Sequence, residues 1–173
     1  MPLRQIHLLL VTLILGALTV QQPKGPKLPE ELSEAEGQRI LKEHHPKSHV
    51  EVTFKISDAH LGTALKLARE SQYREAADDL NLYTELVVYA DAYTRQLPKE
   101  HRKERNQCLK LIEQRLFRQT RLLEAVTMEM PSNYYQVSER AASTTKRIRL
   151  HALDDLLGGG EILKDPGAGH DEH

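Results

Sequence analysis

Between Tyr73 and Leu156 the inward residues recur at helical spacing, and this constrains the fold more than any other feature. Tyr73, Leu80, Val87 and Thr94 repeat every seven residues, with Ala76, Tyr83, Ala90 and Leu97 as a companion row. Such a seam marks a helix that lays one face against other helices. Pro98 stops it. A second seam follows, with Leu109, Leu116, Leu123 and Met130 at one position and Ile112, Gln119 and Val126 at the other. Pro131 ends that helix. Ser132 or Asn133 then caps a last helix whose inner face carries Val137 or Tyr134, Ala141, Thr145, Ile148, Ala152 and Leu156, and Gly158-Gly159-Gly160 terminates it. Upstream, Ser57 and Asp58 are cap candidates for a helix with the stripe Leu61, Ala64, Leu65 and Ala68. Running the first seam backward would put Lys66 and Arg69 inside. The pattern therefore predicts a break near Glu70-Ser71-Gln72 with Ser71 as the new cap, a continuous helix over 57–97 being the alternative.

The fold class expected is all-α: an antiparallel bundle of three to four helices over residues 57–157, preceded by an extended arm. The connections at 98–101 and 130–133 are short, which turns successive helices antiparallel. Charge suggests a pairing. Residues 70–91 hold six acids and one base, whereas residues 95–121 hold nine bases and three acids. An acidic helix beside a basic one would help fix orientation, although an exposed pair contributes only about 0–1 kcal/mol.

The N-terminus reads differently. Arg4 precedes an uncharged run of 13 residues, Leu8 to Val20, closed by the small residues Gly16, Ala17 and Thr19. As a helix that run spans about 20 Å, short of a bilayer core of about 30 Å. The pattern is that of a secretory signal peptide over 1–20 with a cut at 19–22, an uncleaved tether being the alternative. The expected location is secreted or periplasmic. Loss of Arg4 leaves 23 Lys and Arg against 25 Asp and Glu, a net charge of −2 that steers the chain to neither nucleic acid nor membrane. Residues 21–29 carry three prolines and read as a linker; residues 30–44 read as a weak helix interrupted by Gly37. Val50, Val52, Phe54 and Ile56 alternate with Glu51, Thr53 and Lys55, the period-two pattern of a half-buried strand. No other segment matches it, so a strand there would pair with a copy of itself or with a partner's edge. The tail over 158–173 is rich in Gly and charge and reads as disordered.

The run Ala64-x-x-Leu67-x-x-x-Ser71-Gln72-Tyr73-Arg74-Glu75-Ala76-x-x-x-Leu80-x-x-Tyr83 resembles one tetratricopeptide helix hairpin. Ser71 replaces that family's turn glycine, Val88 stands where its proline is expected, and no second copy follows. The resemblance implies a local helix hairpin; it extends neither to a solenoid nor to peptide binding.

Residues with chemistry are few. Cys108 is the single cysteine, so the fold relies on packing without an intrachain disulfide; its neighbours Leu109, Leu111 and Ile112 favour the interior, an intermolecular bridge being the alternative. His170, Asp171 and His173 form a potential divalent-metal chelate, to which His44, His45 and His49 could add from a loop. His60, His101 and His151 read as surface or rim positions. The Glu-x-x-His spacing of a di-iron bundle, a Gly-x-Ser-x-Gly nucleophile and a phosphate loop are all missing from the sequence. The basic helix over 95–121 could meet an envelope surface or an anionic polymer, while export argues against nucleic acid. The function expected is therefore that of an exported, non-catalytic scaffold or protein-interaction module without a cofactor, working through Val50, Val52, Phe54 and Ile56. The alternative is an envelope metal-binding or metal-sensing protein that uses the His-rich tail and loop.

Overall fold

The computed structural model describes residues 25–158, all of whose regular structure is helical. The run expected to be a signal peptide, the Gly- and His-rich tail and its ligand candidates His170, Asp171 and His173 lie outside these residues. Five α-helices follow in order: α1 (Glu34–Leu41), α2 (Pro46–Arg69), α3 (Tyr73–Gln96), α4 (Arg102–Glu129) and α5 (Tyr135–Leu156). Short 3-10 turns, Lys99–His101 and Ser132–Tyr134, lead into α4 and α5.

The strand expected at 50–56 is the first part of α2, and the arm is helical. Pro46 occupies the first turn of that helix, where its missing N–H costs nothing. The misreading has a geometric cause. At 100° per residue, Val50 and Phe54 lie about 40° apart, while Val52 and Ile56 lie about 200° and about 240° from Val50, on the opposite side. Helix α2 is buried on both sides. Val50 and Phe54 enter the main core, whereas Ile56 and Val52 enter a second cluster with Ile40, Leu82, Leu86 and Tyr89. A helix covered on opposite faces mimics period two over seven residues. The four residues assigned to an interaction strand thus hold the interior together, and none of them forms a sheet edge.

The break at 70–72 is present, with a different capping chemistry. Ser71 is not the cap of α3, which starts after Gln72. It adopts φ +62°, the left-handed conformation in which a helix C-terminus unwinds. Its N–H donates to the Ala68 carbonyl at 3.0 Å, and the Gln72 N–H donates to Leu67 at 2.9 Å. The hairpin implied by the tetratricopeptide resemblance is therefore α2–turn–α3, with Ser71 at the glycine position. Both predicted seams are interior: Ala76, Leu80, Tyr83, Val87, Ala90 and Thr94 on α3, and Leu109, Ile112, Leu116, Gln119, Leu123 and Val126 on α4 are all buried. On α5 the buried set is Ser138, Ala141, Thr145, Ile148 and Ala152.

Inter-helix bonds give the topology. Asp58 meets Arg115 and Arg69 meets Glu129, so α2 and α4 run parallel. Asn81 meets Arg140 and Arg95 meets Asp155, so α3 and α5 also run parallel. Glu113 with Arg149, and Arg105 with Asp155, make α4 and α5 antiparallel. The molecule is thus two helix hairpins, α2–α3 and α4–α5, laid side by side. This arrangement overturns the expected match of the acidic helix with the basic one. Helices α3 and α4 face each other across the diagonal, and among the described residues no ion pair joins them. The acids that meet α4 come from α2 and α5.

Helix α1 caps one outer side. Ser33 and Glu36 form a reciprocal capping box that starts it. Ile40, with Leu28 and Leu32, then covers Ile56, Leu82, Leu86 and Tyr89 on the outer face of the α2–α3 hairpin.

Candidate docking groove

The buried seam of α4 leaves Thr120, Glu124, Thr127 and Met128 on one flank of the helix. The seam of α5 likewise leaves Tyr135, Glu139, Ala142, Ser143 and Lys146 outside. Where these flanks meet, an open groove encloses about 730 Å³ between α4 and α5, and Leu123, Ser138 and Thr145 reach its floor. The groove faces away from the α2–α3 hairpin, because Arg115, on the other side of α4, points at Asp58 of α2.

Large apolar side chains stand exposed along these two helices, Met128 and Tyr135 in the groove wall itself. Met128 is 86 % exposed, Phe117 60 %, Tyr135 56 % and Leu150 47 %. The Arg149 guanidinium lies 4.6 Å over the Phe117 ring and bonds Glu113 at 3.1 Å, holding one end of the groove in place. Scattered apolar residues on a surface are ordinary, but a cluster beside a concave strip marks a contact surface. The corresponding outer face of the first hairpin is covered by α1; among the described residues no segment covers this face of the second hairpin.

Beneath the groove, one polar network ties all four long helices. The Gln119 amide donates to Asp58 Oδ1 at 2.5 Å. Its carbonyl oxygen accepts the Tyr83 hydroxyl proton at 3.0 Å, which leaves Thr145 as the donor to Tyr83, also at 3.0 Å. Burial and the bond to Thr145 pull the Tyr83 hydroxyl in opposite directions; burial wins and raises its pKa far above the usual tyrosine range. Arg115 completes the network at Asp58 Oδ2, 3.3 Å away. Satisfied buried networks fix how helices pair. Gln119 is the one polar residue in its seam; its partners, Tyr83 on α3 and Asp58 on α2, are distant in sequence and carried no local signal.

The histidines divide into unlike roles. His49 is in α2, not in a loop, and is buried. Its Nε2 meets the Tyr89 hydroxyl at 2.8 Å, Nδ1 meets the Glu43 carbonyl at 3.1 Å, and its ring stacks on Tyr93 at 4.0 Å. Burial lowers its pKa and raises that of Tyr89 to about 12. With both nitrogens engaged, His49 is unsuited to metal, while His44 and His45 are exposed. His60, expected at a rim, joins three helices: Nδ1 lies 2.6 Å from Asp79 and Nε2 lies 3.2 Å from Glu36. For Glu36, burial opposes ionisation, but the Ser33 hydroxyl and His60 outweigh it and lower the pKa. Among the described residues no group of three or more His, Cys, Asp or Glu is placed to hold a metal ion.

Cys108 is fully buried, as expected, and burial pushes its thiol up to about 11, which keeps it protonated and inert at neutral pH. On α4, Lys103, Lys110, Arg118 and Arg121 are exposed and lie opposite the buried seam. Among the described helices none is long and apolar enough to cross a membrane. Comparison of the chain with protein-family models, curated proteins and solved structures finds no match.

Proposed function

We propose that this chain is an exported, non-catalytic helical interaction module whose docking face is the α4–α5 groove. The supporting observation is a concave strip on the outer face of the second hairpin, which no described segment covers, with exposed Met128 and Tyr135 in its wall at one end and Phe117 beside Arg149 at the other. Export rests on the charged start and the short apolar run at the N-terminus. A non-catalytic role is supported by the state of the reactive groups. Cys108 is sealed in the core, and the buried hydroxyls of Ser57, Thr84, Thr94 and Ser138 are bonded to backbone carbonyls.

The test is affinity capture from envelope extract with the full chain and its Ala142→Arg variant. Any captured protein is then purified and rebound. Ala142 is exposed in the groove wall, so arginine there fills the strip without entering the core. A partner that binds the wild type and fails to bind the variant is the expected result. Equal binding by both would contradict the reading.

The basic stripe of α4 supports a second reading, attraction to an anionic polymer or envelope surface. None of Lys103, Lys110, Arg118 and Arg121 is in an ion pair among the described residues. Binding through them would weaken steeply with salt and with charge reversal at Arg118 and Arg121. Salt-independent retention on heparin would contradict it.

A further inference from the structure

The outward face of α5 is chemically palindromic. Tyr135, Glu139 and Ala142 precede its midpoint; Ser143, Lys146 and Leu150 follow it at mirrored spacing. All six are exposed and share one side of the helix. The two ends are apolar, the next pair carries opposite charges, and the centre is small. We propose that a second copy of this chain occupies the groove, its α5 running antiparallel to the first about a two-fold axis between Ala142 and Ser143. The proposal rests on the docking reading above and names its occupant.

The axis pairs Tyr135 with Leu150 of the second copy, Glu139 with its Lys146, and Ala142 with its Ser143, and each pairing recurs on the other side of the axis. That is the self-matching surface an isologous dimer requires. A shift of register by one turn would set apolar ends against charges, so the palindrome also selects the register. Small residues at the centre let the two backbones approach, and Phe117 and Met128 on α4 flank the partner helix. The charge pairs set orientation more than affinity; the apolar ends and the groove walls supply the contact area. Opposite charges are essential to the argument, because a helix with like charges at both sites would repel its own copy.

Sedimentation of the full chain tests this. Wild type is expected to sediment at twice its monomer mass and Ala142→Arg as a monomer, with unchanged helical circular dichroism. Glu139→Lys and Lys146→Glu are each expected to weaken self-association at least about tenfold, since each sets like charges face to face. Mixed together, those two single variants match charge on both sides of the axis and are expected to form a heterodimer. A monomeric wild type overturns the proposal, as does a dimer unmoved by these substitutions or a mixture that stays monomeric. If the wild type is monomeric yet captures a different protein that Ala142→Arg fails to bind, the copy is the wrong occupant and the docking face stands. A monomer that captures nothing overturns both.

Discussion

Ser71 holds φ +62° at the turn between α2 and α3, a conformation that costs a side-chain-bearing residue about 1 kcal/mol and glycine almost nothing. Ser71→Gly is therefore expected to stabilise the fold by up to about 1 kcal/mol, seen as a rise of roughly 2–4 °C in the thermal midpoint; an unchanged or lower midpoint would contradict the account. The sequence pointed to the break here and to a hairpin. It misassigned the role of Ser71, because serine is a common N-cap and left-handed serine is uncommon. His49 makes a pH-dependent prediction. Its native pKa is depressed by burial, so the unfolded chain takes up a proton that the folded chain resists. The stability associated with neutral His49 is complete above its unfolded pKa of about 6.5 and declines as pH falls through the window below. His49→Gln should cost about 1–3 kcal/mol at pH 7 through lost bonds to Tyr89 and Glu43. That cost should shrink as the pH drops below about 6.5 in denaturant titrations; a pH-independent difference would count against it. Nothing near His49 in sequence announces Tyr89 or Tyr93, which lie on α3, so a loop ligand was the natural reading.

At the scale of elements, α2 shows how a short pattern misleads. Seven residues cannot separate a strand buried on one face from a helix buried on two, and the second burial depends on α1, itself weak by composition. Once the capping box at Ser33 and Glu36 starts α1, Ile40 seals the face of α2 that carries Val52 and Ile56. Long segments were legible for the converse reason: over three or four heptads only one helical register keeps the seam apolar. The helical nature of 50–56 is testable by truncation. Phe54→Ala is expected to cost about 3–5 kcal/mol, the loss for a fully buried ring. A strand laid over the surface would lose far less. In the same helix Gly62 has open space where a Cβ would stand, so Gly62→Ala should stabilise by about 0.5–1 kcal/mol in chemical denaturation. Destabilisation there would mean that α2 is not continuous.

For the whole molecule, two hairpins are joined by one buried network and by seams on four helices. Tyr83→Phe leaves Gln119 and Thr145 short of a partner and is expected to cost about 1–3 kcal/mol. With Gln119→Leu in a double-mutant cycle, the two losses should be strongly non-additive, since they break the same bonds; simple additivity would deny the network. The bundle and its seams were readable from spacing alone. The side-by-side order of hairpins was not, because it depends on pairs such as Asp58 with Arg115 that are far apart in the chain. For the same reason the acidic and basic helices were wrongly matched. The groove stayed hidden because its walls come from two helices, and the palindrome on α5 gains meaning only once that face is known to be outward. The most direct measurement of the central claim is hydrogen exchange of the full chain at low and high protein concentration. The account predicts that protection rises with concentration along Tyr135–Leu150 and along the facing flank of α4 at 117–128, and that Ala142→Arg abolishes the rise. Protection that is independent of concentration in both segments, or a rise that Ala142→Arg leaves intact, would contradict it.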